Sequence, residues 1–467
     1  MRFGNPVMAA PMGTMVASEP MDVLQSRRWL TRGWDFYLVV ATLLVPILYP
    51  PGPSQMAIVD PINAVALIVF FCTLLVYHIP LRLPLALPVF VALLGCSLAM
   101  FAANNVSASL LALLKDAYLY FWYAAMVAVL QPRGTLRAVR LTWVWTGIIV
   151  ALVVYGEAAA TGNFTVQALL LTNRERATGT FTNPNMLADY QVFSIFILLS
   201  LLKQVRLRVL IPALLFLVSS MVTAKSNGGL VSLVTGLTTW GFATAWARGV
   251  APSRVIGVLV LTVAIISSAV WLHGEFGIGD SIVRKVTSHS FVGRMGHSGQ
   301  ARGQIWHRLV ETYKTRPLGI GVKNSSEQIV AIGERERPNS YRSKEAHDDY
   351  LAFALERGPL GLAGLLLGTG MAFAMVGRGR KHLDRRLGSA EAGGAVWAAF
   401  LGALAASSMH SLVIEKLHFR HFWLLLALIT TMCTEAPAIA APRPSSPRAQ
   451  DRPDLTRARP ALQGGMR

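Results

Sequence analysis

The chain has 467 residues, 53% of them hydrophobic and 14% charged, with a mean hydropathy of +0.48. A soluble domain places charge on roughly 25% of its residues, so this composition excludes an ordinary soluble fold and requires lipid as solvent. The formal charge of +19 would suggest nucleic acid in a soluble chain, but here much of it reads as membrane topology signal and no nucleic-acid partner is expected.

Without water, a backbone must close its hydrogen bonds internally, and about 20 apolar helical residues cross about 30 Å of hydrocarbon. The expected fold is therefore all-α, a polytopic membrane helix bundle of about 12 transmembrane helices, with one long periplasmic loop containing short helices. Residues 1–35 form the N-terminal segment; Arg27, Arg28 and Arg32 precede no apolar core with a small-residue cleavage site, so no cleaved signal peptide is expected. Spans one to nine occupy 36–272, at 36–51, 61–80, 84–103, 109–130, 139–157, 186–202, 208–224, 228–246 and 255–272. The loop takes 273–350, and spans ten to twelve fall at 351–376, 392–413 and 420–434. The Pro- and Arg-rich stretch 435–467 lacks an apolar face and reads as a disordered tail. Cys72, Cys96 and Cys433 all fall in apolar segments with no paired spacing and read as packing residues.

Alternate connections carry Arg82; Arg133, Arg137 and Arg140; Lys203, Arg206 and Arg208; Arg248 and Arg254; then Arg378, Arg380, Lys381, Arg385 and Arg386. The connection from Pro51 to Asp60 and the turn around Asn104 and Asn105 have no basic residue. This asymmetry places both termini on the cytoplasmic side of the membrane, which is expected to be a bacterial-type inner membrane. Two connections on the opposite side break the pattern by carrying many positive charges: about Glu157 to Asn185, and the long loop.

The first of these ends Arg176-Ala-Thr-Gly-Thr-Phe-Thr-Asn183-Pro184-Asn185. Thr182 and Asn183 before Pro184 read as a turn, and Asn185 reads as the N-cap of the next helix. Helix-start chemistry gives Arg174 and Arg176 no role; a guanidinium near a helix N-terminus suits a phosphate, whose oxygens its planar fork can bind in pairs. In the long loop Ile305, Trp306, Leu309, Val310 and Tyr313 recur at helical spacing, so an amphipathic helix is expected, headed by Arg302 and stopped by Pro317. The loop re-enters the membrane through Glu345-Ala-His347-Asp348-Asp349-Tyr350 and Glu356-Arg357-Gly358-Pro-Leu-Gly361. An imidazole there can accept a hydroxyl proton near neutral pH, with Asp348, Asp349 or Glu345 to orient it. Taken singly, the arginines also fit solvated surface positions and His347 a structural one.

Taken in order, these blocks resemble the O-antigen ligase and O-antigen polymerase superfamily, whose members carry Arg-x-x-Gly-x-Phe-x-Asn-Pro-Asn, an Arg-x-x-x-Trp helix, Pro-Leu-x-Gly-x-Gly, and His-Asn-x-Tyr-Leu ahead of Glu-x-Gly-x-x-Gly. The matching stretches are Arg176 to Asn185, Arg302 and Trp306, Pro317 to Gly321, and His347 to Gly361. There are two departures. Asn227 stands where an arginine is common, with Lys225 nearby to supply charge, and Asp348 replaces an asparagine. The resemblance implies a metal-independent glycosyltransferase acting on an undecaprenyl-pyrophosphate-linked glycan, with a glycan or lipid A core as acceptor. Membrane lipid and other polysaccharide assembly proteins are further partners, and no cofactor or metal is expected. The implied site has His347, Arg176 and Arg302 as catalytic groups. Arg174, Asn183, Asn185, Lys225, Asn227, Trp306, Asp348, Tyr350 and Glu356 would line it for substrate.

Polymerisation of O-antigen or exopolysaccharide repeat units and ligation to lipid A core share this chemistry, and the motif details lean towards polymerisation. A twelve-helix transporter is the reading from another class. Lys115 and Asp116 inside the fourth span favour it, although they can equally form an internal pair or sit near the outer interface. The long loop between spans nine and ten breaks the symmetry of halves that such transporters show.

Overall fold

The computed structural model describes residues 21–48, 57–78, 81–130, 133–160, 176–251, 253–254, 303, 305–325 and 346–434. The described secondary structure is helical: α1 (Met21–Leu44), α2 (Val59–Val76), α3 (Ala86–Ala99), α4 (Val106–Val129), α5 (Arg133–Ala160), α6 (Pro184–Leu199), α7 (Leu207–Thr223) and α8 (Asn227–Ala247). There follow α9 over 305–315, then α10 (Asp349–Leu387), α11 (Ala390–His410) and α12 (Arg420–Cys433). Eleven of the twelve expected spans coincide with a helix; the other, 255–272, lies outside the described residues. α1 begins well before the expected span at 36, because a helix can continue beyond the apolar stretch that defines a span. By length and composition, α2, α4, α5, α8, α10 and α11 are long and apolar enough to cross a membrane, and α3, α6, α7 and α12 are shorter apolar helices. The chain is a multi-pass membrane helix bundle.

α6 is buried on every side from Asn185 to Leu199 and is predominantly apolar, as a helix enclosed by others must be. It packs against α5, α7, α8 and α11, and Trp143 of α5 stacks on its Tyr190 at 5.7 Å. With little hydrophobic drive between helices in lipid, close packing depends on small residues. α8 and α11 meet at Gly236 and Gly402: a Cβ on either would lie 2.7 or 2.8 Å from the other's carbonyl oxygen.

α10 is broken at Gly358, where φ is 67° and ψ −167°, a combination essentially confined to glycine. Pro359 has no N–H to give to the Leu355 carbonyl. The loop compensates: Ile320 N–H donates to Leu355 O at 2.9 Å and Gly321 N–H to Glu356 O at 3.1 Å. The Pro317–Gly321 turn thus completes the hydrogen bonding of the broken helix. Ile305 and Leu309 of α9 share a buried cluster with Ile320, Ala346, Ala352 and Leu355, so the expected amphipathic helix lies against the start of α10.

Candidate functional site

The motif residues gather at one end of the bundle, where α6, α8 and α10 begin. Asn183, rather than the expected Asn185, caps α6: its Oδ1 accepts from Asn185 N–H at 2.8 Å, and Pro184 takes the first helical position. Proline is suited there because its φ is preset and the N–H it lacks would be unsatisfied in any case. The Asn185 side chain turns instead to the site. Its Oδ1 accepts from Arg176 Nη2 at 2.6 Å and from Ser226 Oγ at 3.0 Å. Arg176 Nε also donates to Ala224 O at 3.0 Å. The guanidinium is thereby fixed against the turn between α7 and α8 while its residue remains exposed.

Ser226 caps α8, accepting from Gly229 N–H at 3.1 Å, and Asp348 caps α10, accepting from Tyr350 and Leu351 N–H at 2.8 and 3.1 Å. The residue before each cap has a left-handed backbone: Lys225 with φ 49° and His347 with φ 54°. Such a backbone costs a non-glycine residue about 1–3 kcal/mol and tends to occur at functional sites. Lys225 and His347 thus occupy matching positions at two helix starts, while of the two departures Asn227 is the first residue of α8 and Asp348 the cap of α10. Burial pushes the Asp348 carboxyl up from its ordinary range, against the opposing pull of the Leu351 and Tyr350 amides. Asn227 Oδ1 is buried with no hydrogen-bond partner among the described residues. The positive dipole ends of three helices beside one guanidinium favour an anion.

The other expected residues are placed as follows. Trp306 Nε1 donates to Ala346 O at 3.0 Å, which sets α9 beside His347. Tyr350 donates to Ser408 O at 3.2 Å. Glu356 accepts from Ser325 Oγ and helps hold the Pro317–Gly321 turn. Asp349 Oδ1 accepts from Lys416 N–H at 3.1 Å. Arg174, Arg302 and Glu345 lie outside the described residues.

A buried polar cluster joins the two sides of the site. Asp189, one turn into α6 from Asn185, has Oδ1 2.5 Å from His410 Nδ1 and 3.2 Å from Lys416 Nζ, and Oδ2 2.9 Å from His421 Nε2. All four side chains are at most 2% exposed. Burial pulls the Lys416 ammonium below its ordinary range, and Asp189 and Asp349 act against that pull. Since Asp349 accepts from Lys416 N–H, one hydrogen-bonded framework runs from Arg176 through Asn185, α6, Asp189 and Lys416 to the start of α10. A Cβ on Gly228 would meet Val413 at 2.4 Å and His410 at 3.1 Å, so the start of α8 rests on the same framework.

Sequence reasoning missed Asp189, His410, Glu415, Lys416 and His421, which belong to no spaced motif. The available signal was ionisable side chains within or beside apolar spans, where charge persists only when paired or functional. Asp60 with Arg420 is a further missed pair at this end, joined by Arg420 Nε to Oδ1 at 2.7 Å and by a second guanidinium contact.

Fold and site together define a multi-pass helical membrane protein with a cationic, polar site at one end of the bundle. Residues 212–366 match the family model described as O-antigen ligase. The match supports the resemblance to the O-antigen ligase and polymerase superfamily and an O-antigen ligase- or polymerase-type function. That stretch contains Lys225, Asn227, Trp306 and His347 to Gly361, whereas Arg176 to Asn185 precede it. A search of curated proteins finds no match to the chain.

Proposed function

We propose that this protein transfers a glycan from an undecaprenyl-pyrophosphate donor to an acceptor hydroxyl at the periplasmic face of the inner membrane, extending O-antigen or exopolysaccharide chains. The observation that carries this reading is the joining of Arg176 to the starts of α6 and α8 through Asn185, with the start of α10 and His347 tied to the same framework through Asp189 and Lys416. Arg176 and the helix N-termini hold the diphosphate, whose negative charge grows as the sugar departs; donors fixed in advance stabilise that charge without reorganising. Arg302, just ahead of α9, supplies the second guanidinium.

His347 takes the acceptor proton as the oxygen attacks the anomeric carbon. The bond from that carbon to the pyrophosphate oxygen breaks, and the lipid pyrophosphate leaves with the electron pair. An apolar groove between α3, α10, α11 and α12 suits the donor's lipid chain. It runs from Tyr350 and Ser411 at the site end to Ala372 and Leu426. Asp116 and Arg357, two charged residues in its wall, pair with each other.

Purified protein given a lipid-pyrophosphate glycan should release lipid pyrophosphate and form a glycosidic bond, and H347A and R176A should insert normally but transfer nothing. Full activity in both variants would overturn the assignment. The ligase reading, which the matched family's description favours, differs only in acceptor. Short single-repeat glycans in a deletion strain mark a polymerase, and unattached long lipid-linked chains mark a ligase.

A further inference from the structure

His347 keeps a φ of 54°, and a strained backbone of this kind persists only where its surroundings hold it. Residues on both sides of it are held by one short segment, 411–417, between α11 and α12. Before the histidine, Ala346 N–H donates to Glu415 Oε1 at 2.5 Å. After it, Asp349 N–H donates to Ser411 O at 2.8 Å, and Asp349 Oδ1 accepts from the N–H groups of Lys416 and Leu417 at 3.1 and 3.5 Å. The segment is itself anchored, because Lys416 Nζ reaches Asp189 at 3.2 Å and Ile414 N–H reaches His410 O at 3.1 Å. Ala346, Asp349, Glu415 and Lys416 are all buried, so water does not replace these contacts readily. A carboxylate accepting from a backbone amide is among the stronger hydrogen bonds.

We propose that Glu415 is a positioning residue for His347, and that the 411–417 segment is the cradle that keeps the imidazole aimed at the acceptor hydroxyl; this rests on His347 being the base. Without the Glu415 oxygen, the Ala346 amide loses its acceptor and the backbone at His347 relaxes towards negative φ, carrying the imidazole off line. The donor is held elsewhere, by Arg176 and the groove, so the loss falls on turnover rather than on donor affinity.

Three variants of the full-length protein test this. E415Q keeps an acceptor oxygen in place, E415D withdraws it by one methylene while keeping the charge, and E415A removes it. A misplacement of 1 Å can cost about 100-fold in rate, so kcat should fall roughly 10- to 100-fold in E415D and E415A with donor KM within about twofold, while E415Q stays within about threefold of wild type. Unchanged kcat in E415D and E415A, a loss confined to KM, or an E415Q as impaired as E415A would overturn the proposal. If the wild-type protein turns over no lipid-pyrophosphate glycan, it is the reading of His347 as base that falls. An experimental structure of E415A then decides on the cradle alone: His347 at negative φ supports it, and His347 still at positive φ overturns it.

Discussion

Asp189 Oδ1 lies 2.5 Å from His410 Nδ1 and 3.2 Å from Lys416 Nζ, deep inside the bundle. Removing one partner of a buried ion pair leaves the other charge uncompensated and typically costs about 3–5 kcal/mol. D189A should therefore lower the unfolding temperature of the purified protein sharply. The double variant D189L/K416M, which removes both charges, should recover much of the loss. Equal stability of D189A and wild type would show that the cluster carries no structural weight.

Arg176 makes two directed contacts, Nε to Ala224 O at 3.0 Å and Nη2 to Asn185 Oδ1 at 2.6 Å. A lysine keeps the charge but has a single ammonium and no planar fork, so it cannot reproduce both contacts and still face a phosphate. R176K should insert and express as wild type yet lose roughly 100- to 1,000-fold in kcat, the range seen when one fixed donor is taken from a developing oxyanion. Activity within a few-fold of wild type would mean that charge alone suffices.

Helix positions were legible because apolar length in lipid leaves the backbone one solution. The helix over 305–315 and its stop before Pro317 were legible from helical spacing and from the proline. The α6 cap falls at Asn183, two residues before the expected Asn185, since both are good caps and only the Pro184 geometry separates them. In the sequence Lys115 and Asp116 read as a transport pair, an internal pair or residues near the outer interface. The structure instead pairs Asp116 with Arg357 across α4 and α10, a contact between residues far apart in sequence. The framework linking Arg176 to His347 was illegible for the same reason: Asp189, Lys416 and Glu415 acquire meaning only once α6 and the 411–417 segment are neighbours.

The break in α10 depends on Gly358. A Cβ there would sit 2.5 Å from Leu318 O, and the φ of 67° adds strain whatever the space available. G358A must shift either the α10 backbone or the Pro317–Gly321 turn. That turn supplies the donors for Leu355 and Glu356 O, so the loss adds unsatisfied carbonyls to the strain of about 1–3 kcal/mol. Low yield or a markedly lower unfolding temperature is expected, checked by fluorescence-detected size-exclusion chromatography after heating. A variant as stable as wild type would mean that the break is not glycine-dependent.

The groove beside α10 gives a prediction that depends on the length of the lipid. Beyond the break at Gly358, from Pro359 to Ala372, the helix rises at about 1.5 Å per residue, roughly 20 Å of the about 30 Å hydrocarbon thickness of a bilayer. A chain seated along it would touch the wall near Gly368, where a Cβ meets Pro88 at 3.4 Å, so a larger side chain is accommodated without a backbone clash. G368L fills that part of the groove. Displacing about two methylenes at about 0.8 kcal/mol each should raise KM for a long-chain donor roughly tenfold. A donor with a farnesyl chain, too short to reach Gly368 from the site end, should keep its wild-type KM. Steady-state kinetics with the two donors separate the outcomes: a rise in KM confined to the long chain supports the groove as its seat, and an equal change for both, or none for either, removes the lipid from it.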